Sequence, residues 1–325
     1  MMRFLRILIS IGLLTLMIRM AGDVQALGTQ IAALSSVAIG LALLLNTLDR
    51  ALMAYKWIRL LNYRGHHMGL LRGIRIYCAS TIWGLFLPAT LGADSVRAAC
   101  TVREGIPARE VVASIAVERI IGGLATPLLA IGGLTLIQVS GNFDPRLESV
   151  WWIALAVIAL GVAALVVAFD LRFHKFLHYR LMGRVQHFRL FQLLEKAHES
   201  FYSYRSARGE LGFFFLLTLA ENSFPIVITW VIAQGLGISA PFVSIAAAVP
   251  LAYLAARVPV SMGGIGVYET VFVLVLSAAD VPLEDSLSMA LVARVLQIVS
   301  WTPWWLAYMA EGGRPKPDAR DALPG

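Results

Sequence analysis

Apolar runs long enough to cross a bilayer alternate with short polar breaks along almost the whole chain. A helix that crosses the hydrocarbon needs about 20 mostly apolar residues. Such runs lie at Phe4–Met20, from Ile31 past Asp49 and Arg50 to about Leu61, and at Ala108–Ile137, Val150–Phe169, Leu211–Gln234 and Leu283–Met309. The pattern therefore predicts about six transmembrane helices. Arg3 and Arg6 give the first run the look of a signal peptide. Arg19 interrupts its end, however, and no small-x-small cleavage site follows, so it is expected to stay as an anchor.

Two further stretches do not fit a simple crossing. Leu70–Glu104 is apolar at first, breaks at Pro88–Gly92 and then turns charged. Phe242–Ala279 has two apolar arms of about 15 residues, broken at Pro259–Gly264. Arms that short suit re-entrant hairpins, whose irregular tips must be surrounded by protein or water. A kinked ordinary span is the other reading of each.

Composition narrows the class. Hydrophobic residues make up 58% of the 325 and charged residues 14%, against roughly a quarter charged in a soluble domain. Mean hydropathy is +0.75. Too little polar surface remains to cover soluble domains, which leaves an all-α polytopic membrane protein forming one integral domain over residues 1–325. Cys78 and Cys100 read as small apolar filler.

The basic residues set an orientation. Arg50–Arg75 holds six Lys or Arg and no acid, and Leu171–Glu210 holds eight against three acids. The intervening loops on the other side carry Asp23, a lone Arg146, and the acidic run Asp280–Asp285. Positive residues stay inside, so both termini are expected in the cytoplasm of a cell with this protein in its inner membrane. Segment 171–210 interleaves its cations with Phe173, Phe176, Phe188, Phe191, Phe201, Tyr202 and Tyr204. It reads as an interfacial segment against anionic inner-leaflet lipids rather than a nucleic-acid surface. His174 and His178 could share a metal on a helix, but no third ligand is evident, and no metal or cofactor is expected.

An internal repeat is the most informative feature. Pro88 stands 171 residues before Pro259, and Gly92 stands 171 before Gly263. Gly105-Ile106-Pro107 resembles Asp280-Val281-Pro282, and Arg119 and Arg294 each lie 12 residues beyond those prolines. Repeats are assigned to about 31–137 and 211–310, each a span, a broken hairpin and a second span. Three crossings separate the hairpins, so the second copy is inverted, an arrangement typical of secondary transporters.

The candidate site follows from helix physics. The first N–H groups of a helix are unpaired and carry partial positive charge, which suits a phosphate or carboxylate. Short helices are expected to begin at about Ala93 and Ile265, beside Gly92, Gly263 and Gly264. Arg97, Arg119, Arg257 and Arg294 add full charges for substrate binding. Glu118, Glu221, Glu269, Asp94 and Arg50 are charge-balancing or coupling candidates, with Glu221 and Glu269 placed to exchange protons. Simpler roles exist for three of these: Glu118 as a partner of Arg119 or a backbone group, Asp94 as a helix cap, and Arg50 at the interface. Charge inside a bilayer is costly, so such a cluster points to function more than to packing.

The segments Phe86–Arg97 (FLPATLGADSVR), Ser114–Gly122 (SIAVERIIG) and Pro259–Glu269 (PVSMGGIGVYE) together resemble the flippase-like transmembrane family. That family includes the membrane region of lysylphosphatidylglycerol synthases, and the likeness covers nearly the whole chain. Ala93 departs from a pattern that usually has a second glycine, which implies a tighter first hairpin. No soluble aminoacyl-transfer domain follows, so the resemblance implies translocation of a lipid rather than its synthesis.

The expected function is lipid transport without catalysis. The cargo would be a phospholipid, polyprenyl phosphate or glycolipid with an anionic or zwitterionic head group, held between the hairpin tips by Arg119 and Arg294. Two alternatives stand beside it. One is an integral-membrane enzyme acting on a lipid-linked substrate, although no Asp-x-Asp run appears. The other is an accessory subunit of a glycosyltransferase or lipid-synthesis system. No nucleotide-binding loop of the G-x-x-x-x-G-K-[ST] type is present.

Overall fold

The computed structural model describes residues 24–85, 91–139, 148–169, 208–258 and 263–311, with Gly12, Thr15, Tyr204 and Ser261 as isolated positions. Most of the run Phe4–Met20, both hairpin prolines and most of segment 171–210 lie outside the described residues. Within them the chain is helical, and no strand occurs.

Among the described residues ten helices follow one another: α1 (Val24–Ala32), α2 (Ser36–Tyr63), α3 (Leu70–Leu85), α4 (Leu91–Arg103), α5 (Ala108–Val139), α6 (Glu148–Phe169), α7 (Arg208–Gly235), α8 (Phe242–Ala256), α9 (Val267–Ser277) and α10 (Leu283–Ala310). Ser36–Tyr63, Ala108–Val139 and Gly209–Gly235 are long and apolar enough to cross a membrane by length and composition. The apolar run that starts at Ile31 divides into α1 and α2. At the break the Ser35 amide donates to the Gly235 carbonyl at 3.1 Å, outside its own helix. The helix then continues to Tyr63, two residues beyond the expected Leu61, and carries Arg50, Lys56 and Arg59 of the basic stretch Arg50–Arg75.

Helices α2–α5 and α7–α10 run long, short, short, long in turn. Helices α2 and α7 have 28 residues each, with Asp49 and Glu221 at the fourteenth position of their respective helices. Gly65 after α2 and Gly237 after α7 both have positive φ, 80° and 70°. Gly105 before α5 and Asp280 before α10 are also left-handed, at 86° and 56°. Packing follows the same correspondence. Helix α3 packs on α10 as α8 packs on α5, while α2 and α7 pack on each other. Each long helix buries part of its length in the other half: Ala130, Leu134 and Ile137 of α5 join a cluster with α8 and α9, and Trp301 and Tyr308 of α10 join one with α3.

Small residues permit these approaches. A Cβ on Gly133 would lie 2.6 Å from the Ala247 Cα, so α5 and α8 touch backbone to backbone. In the first hairpin a Cβ on Gly84 would lie 2.6 Å from that of Ala93. In the second, a Cβ on Gly264 would lie 2.6 Å from that of Ala256. One arm supplies the methyl and the other omits it, with the roles exchanged. The methyl of Ala93 is thus accommodated by Gly84.

Charged residues gather at one end of the bundle. Arg59 binds Glu210 at 2.7 Å, Arg64 binds Glu110 at 2.7 Å, and Arg72 holds Glu104 and Glu311. At the opposite end the Gln30 amide donates to Asp285 at 2.6 Å and accepts from Ser288 at 2.6 Å.

Candidate functional site

Helix α4 packs against α3 and α5 and carries Asp94 and Arg97 one turn apart on a common face. Arg119 of α5 grips Asp94 with two parallel bonds, Nε to Oδ2 and Nη2 to Oδ1, both 2.7 Å. Arg97 reaches Asp94 Oδ1 at 3.3 Å and Glu118 Oε2 at 2.9 Å. The Tyr77 hydroxyl donates to the other Glu118 oxygen. Glu118 therefore pairs with Arg97 and not with its neighbour Arg119. Consecutive residues on a helix point about 100° apart, so Glu118 turns inward while Arg119 faces open space. Asp94 serves as an ion-pair hub, with both oxygens taken by arginines.

The Arg97 guanidinium lies 4.5 Å from the Tyr77 ring centroid and 5.1 Å from that of Trp57. These two ring contacts compensate a cation that is 1% exposed. Lys56 is equally buried. Its ammonium donates to Glu221 at 3.0 Å and to the Thr218 hydroxyl at 3.1 Å, tying α2 to α7.

These groups surround a partly open cavity of about 360 Å³, lined chiefly by Lys56, Asp94, Glu118, Arg119, Glu221 and Arg257. The volume falls at the small end of ordinary ligand sites, about 300–1,000 Å³. Gly122 and Gly123 of α5 form part of its wall. A Cβ on Gly123 would meet nothing within 4 Å, so the absent side chain is space for something else. Arg257 enters from the end of α8, and its Nη2 donates to the Thr126 hydroxyl at 2.6 Å.

The corresponding place in the second half is built differently. Arg294 of α10 binds Glu269 of α9 through Nε at 2.9 Å and Nη2 at 2.8 Å, both to Oε1. The other Glu269 oxygen accepts from the Gly266 amide at 2.7 Å. The space beside Arg294 is only about 30 Å³, bordered by Asn46, Tyr253, Tyr268 and Gln297. The two tyrosine rings meet edge to face at 5.0 Å, and Arg294 stacks over Tyr268 at 5.2 Å.

The residues singled out from sequence thus separate into groups. Asp94, Glu118, Arg119, Glu221 and Arg257 share the larger cavity, with Arg97 directly behind it. Arg294 and Glu269 form the second cluster, so Arg119 and Arg294 line two separate spaces. Gly92 is buried in the first turn of α4, which starts two residues before the expected Ala93. Gly263 and Gly264 have φ of 57° and 76° in the turn leading to α9, a conformation that glycine adopts without strain. Helix α9 starts at Val267, two residues after the expected Ile265. Arg50 is buried rather than interfacial: it pairs with Asp49 at 2.6 Å and lies 4.9 Å from the Trp301 ring. Lys56 was not among the expected site residues, nor were Thr218, Asn222, Gly122 and Gly123. A signal for Lys56 existed in its place two turns beyond Asp49 on a helix that had not yet ended.

Among the described residues no three His, Cys, Asp or Glu side chains converge to hold a metal ion. The described residues bring to the cavity fixed cations, carboxylates and hydroxyls around a small polar space inside an apolar bundle. A family model described as the lysylphosphatidylglycerol synthase TM region matches residues 3–303. No curated protein matches the chain.

Proposed function

The chain belongs to the lysylphosphatidylglycerol synthase transmembrane-region family, and on that premise we propose that it moves a lipid with an anionic or zwitterionic head group across the inner membrane. The head group would enter the cavity between α2, α4, α5 and α7 while its acyl chains stay in the bilayer. Lys56, Arg119 and Arg257 would meet the phosphate. The carboxylates Asp94, Glu118 and Glu221 hold Lys56, Arg97 and Arg119 when the cavity is empty.

One observation carries this reading: three cations and three carboxylates line a cavity of about 360 Å³ within a bundle of apolar helices. Leaving ionic groups inside a membrane is expensive, and water or a polar ligand relieves that cost. Buried ion pairs alone would be expected to close around one another, as Glu269 and Arg294 do.

Two further features support an inverted repeat of transporter type. First, the exchanged packing, α3 on α10 and α8 on α5, is what a two-fold relation between the halves requires. Second, the hairpin helices are short. At 1.5 Å per residue, the 16 residues of α3 span about 24 Å and the 11 of α9 about 17 Å, against a hydrocarbon core of about 30 Å. If they re-enter rather than cross, α2 and α7 traverse the bilayer in opposite senses. The arginine-rich end of the bundle would then face the cytoplasm. The cavity lies roughly two to four turns from that end, and the tyrosine-filled counterpart lies nearer the other. That placement would suit an inward-open state.

The test is reconstitution into vesicles that contain head-group-labelled fluorescent lipid, followed by quenching from outside. Quenching beyond the outer-leaflet half is expected, absent from protein-free vesicles and lost in Arg119→Ala. Quenching that stops at half with active, folded protein would refute transport.

A further inference from the structure

The charges around the cavity do not cancel. Four cations, Lys56, Arg97, Arg119 and Arg257, stand against three carboxylates, Asp94, Glu118 and Glu221. Three of the cations have fixed partners. Lys56 binds Glu221, Arg119 binds Asp94 with both arms of its fork, and Arg97 spans Glu118 and Asp94. Asp49 and Arg50 behind them neutralise each other. Arg257 has no carboxylate partner among the described residues, and its one described hydrogen bond is to the neutral Thr126 hydroxyl. The neighbouring segments 86–90 and 259–262 contain no Asp or Glu. A guanidinium has five N–H donors in a planar fork that matches two oxygens of a phosphate.

We infer that the cavity selects a lipid phosphodiester head group carrying one net negative charge, with Arg257 as the anchor that sets this preference. The inference rests on the lipid reading above and narrows it. A monoanionic phosphodiester neutralises the surplus charge and takes up the unused Arg257 donors. A zwitterionic head group brings an ammonium to carboxylates already saturated by Lys56, Arg97 and Arg119. An aminoacylated head group with a net positive charge meets a cavity of its own sign. The lysyl lipid that the family name suggests is therefore the one this cavity disfavours.

The experiment is a titration of the full chain in detergent, followed by tryptophan fluorescence. The probes are dihexanoyl phosphatidylglycerol, dihexanoyl phosphatidylcholine and dihexanoyl lysylphosphatidylglycerol. The expected order is phosphatidylglycerol, then phosphatidylcholine, then the lysyl lipid, with about tenfold or more between first and last. Arg257→Gln, which can still donate to Thr126, is expected to collapse that preference, and Arg257→Lys to restore most of it. Equal binding of all three lipids, or an unchanged order in Arg257→Gln, would overturn the assignment. So would glycerophosphoglycerol competing as well as the lipid, since the cavity would then serve a soluble anion. Selective binding without movement of lipid in vesicles would leave this inference standing and defeat the transport reading. Transport without selectivity would do the reverse.

Discussion

Arg119 and Arg294 each bind a carboxylate 25 residues upstream, on the short helix that precedes their own long helix. Their surroundings nevertheless differ. The Arg119 side chain is 54% exposed and lines about 360 Å³ of space, whereas that of Arg294 is 22% exposed beside about 30 Å³. The difference lies in the residues rather than only in a momentary conformation. The place held by Tyr268 in the second half is held at the same register by Ala93 in the first, and the backbone Gly266 N–H occupies the second oxygen of Glu269. One pair is a closed structural clasp, and the other is a clasp with room beside it. The two clasps share a spacing, but one is enclosed by tyrosines and the other has open space beside it.

The sharpest way to break this comparison is to remove each clasp in turn. Glu269→Ala leaves the mostly buried Arg294 and the Gly266 amide without their acceptor. It is expected to cost about 3–5 kcal/mol, seen as a large drop in melting temperature in detergent. A melting curve like that of the unaltered protein would show that the second clasp is not structural.

Hairpin packing comes next in size. Gly84→Ala sets two methyl groups 2.6 Å apart and is expected to cost about 1–3 kcal/mol. Adding Ala93→Gly removes the contact at 2.6 Å but leaves the new methyl 2.9 Å from the Ala93 Cα, so it should recover part of that loss. Failure of the second change to rescue the first would mean that the two arms do not meet as described.

The smallest effect on stability belongs to Arg119→Gln. The group is half exposed and Asp94 keeps Arg97, so about 0–1 kcal/mol is expected from thermal unfolding. A drop as large as that of Glu269→Ala would erase the distinction between the two clasps.

Much of this was legible in the chain. Helices α5 and α10 ended within two residues of their apolar runs, since long apolar stretches admit little else in a bilayer. The equal spacing of Arg119 and Arg294 beyond Pro107 and Pro282 was also readable, whereas the matching of Asp94 with Glu269 came only with the structure. What stayed hidden depended on distant partners. Lys56 counted only as one of the basic residues that set the orientation until Glu221, 165 residues away, supplied its counter-ion. Glu118 was associated with adjacent Arg119 because adjacency in sequence suggests contact, whereas helix geometry sends the two side chains apart. The role of Ala93 could not be read without Gly84, which faces it across a hairpin. The separation of Arg119 from Arg294 depends on two tyrosines whose packing no local pattern announces.

The most direct test of the cavity's role fills it without touching a charge. Gly123→Phe places a ring where a Cβ meets nothing within 4 Å, on a helix that gains from losing a glycine, so stability should hold. Lipid movement in reconstituted vesicles is predicted to fall to the level of protein-free vesicles while the melting temperature stays unchanged. Movement at the unaltered rate in the folded variant would contradict the account, because the head group would then be crossing elsewhere.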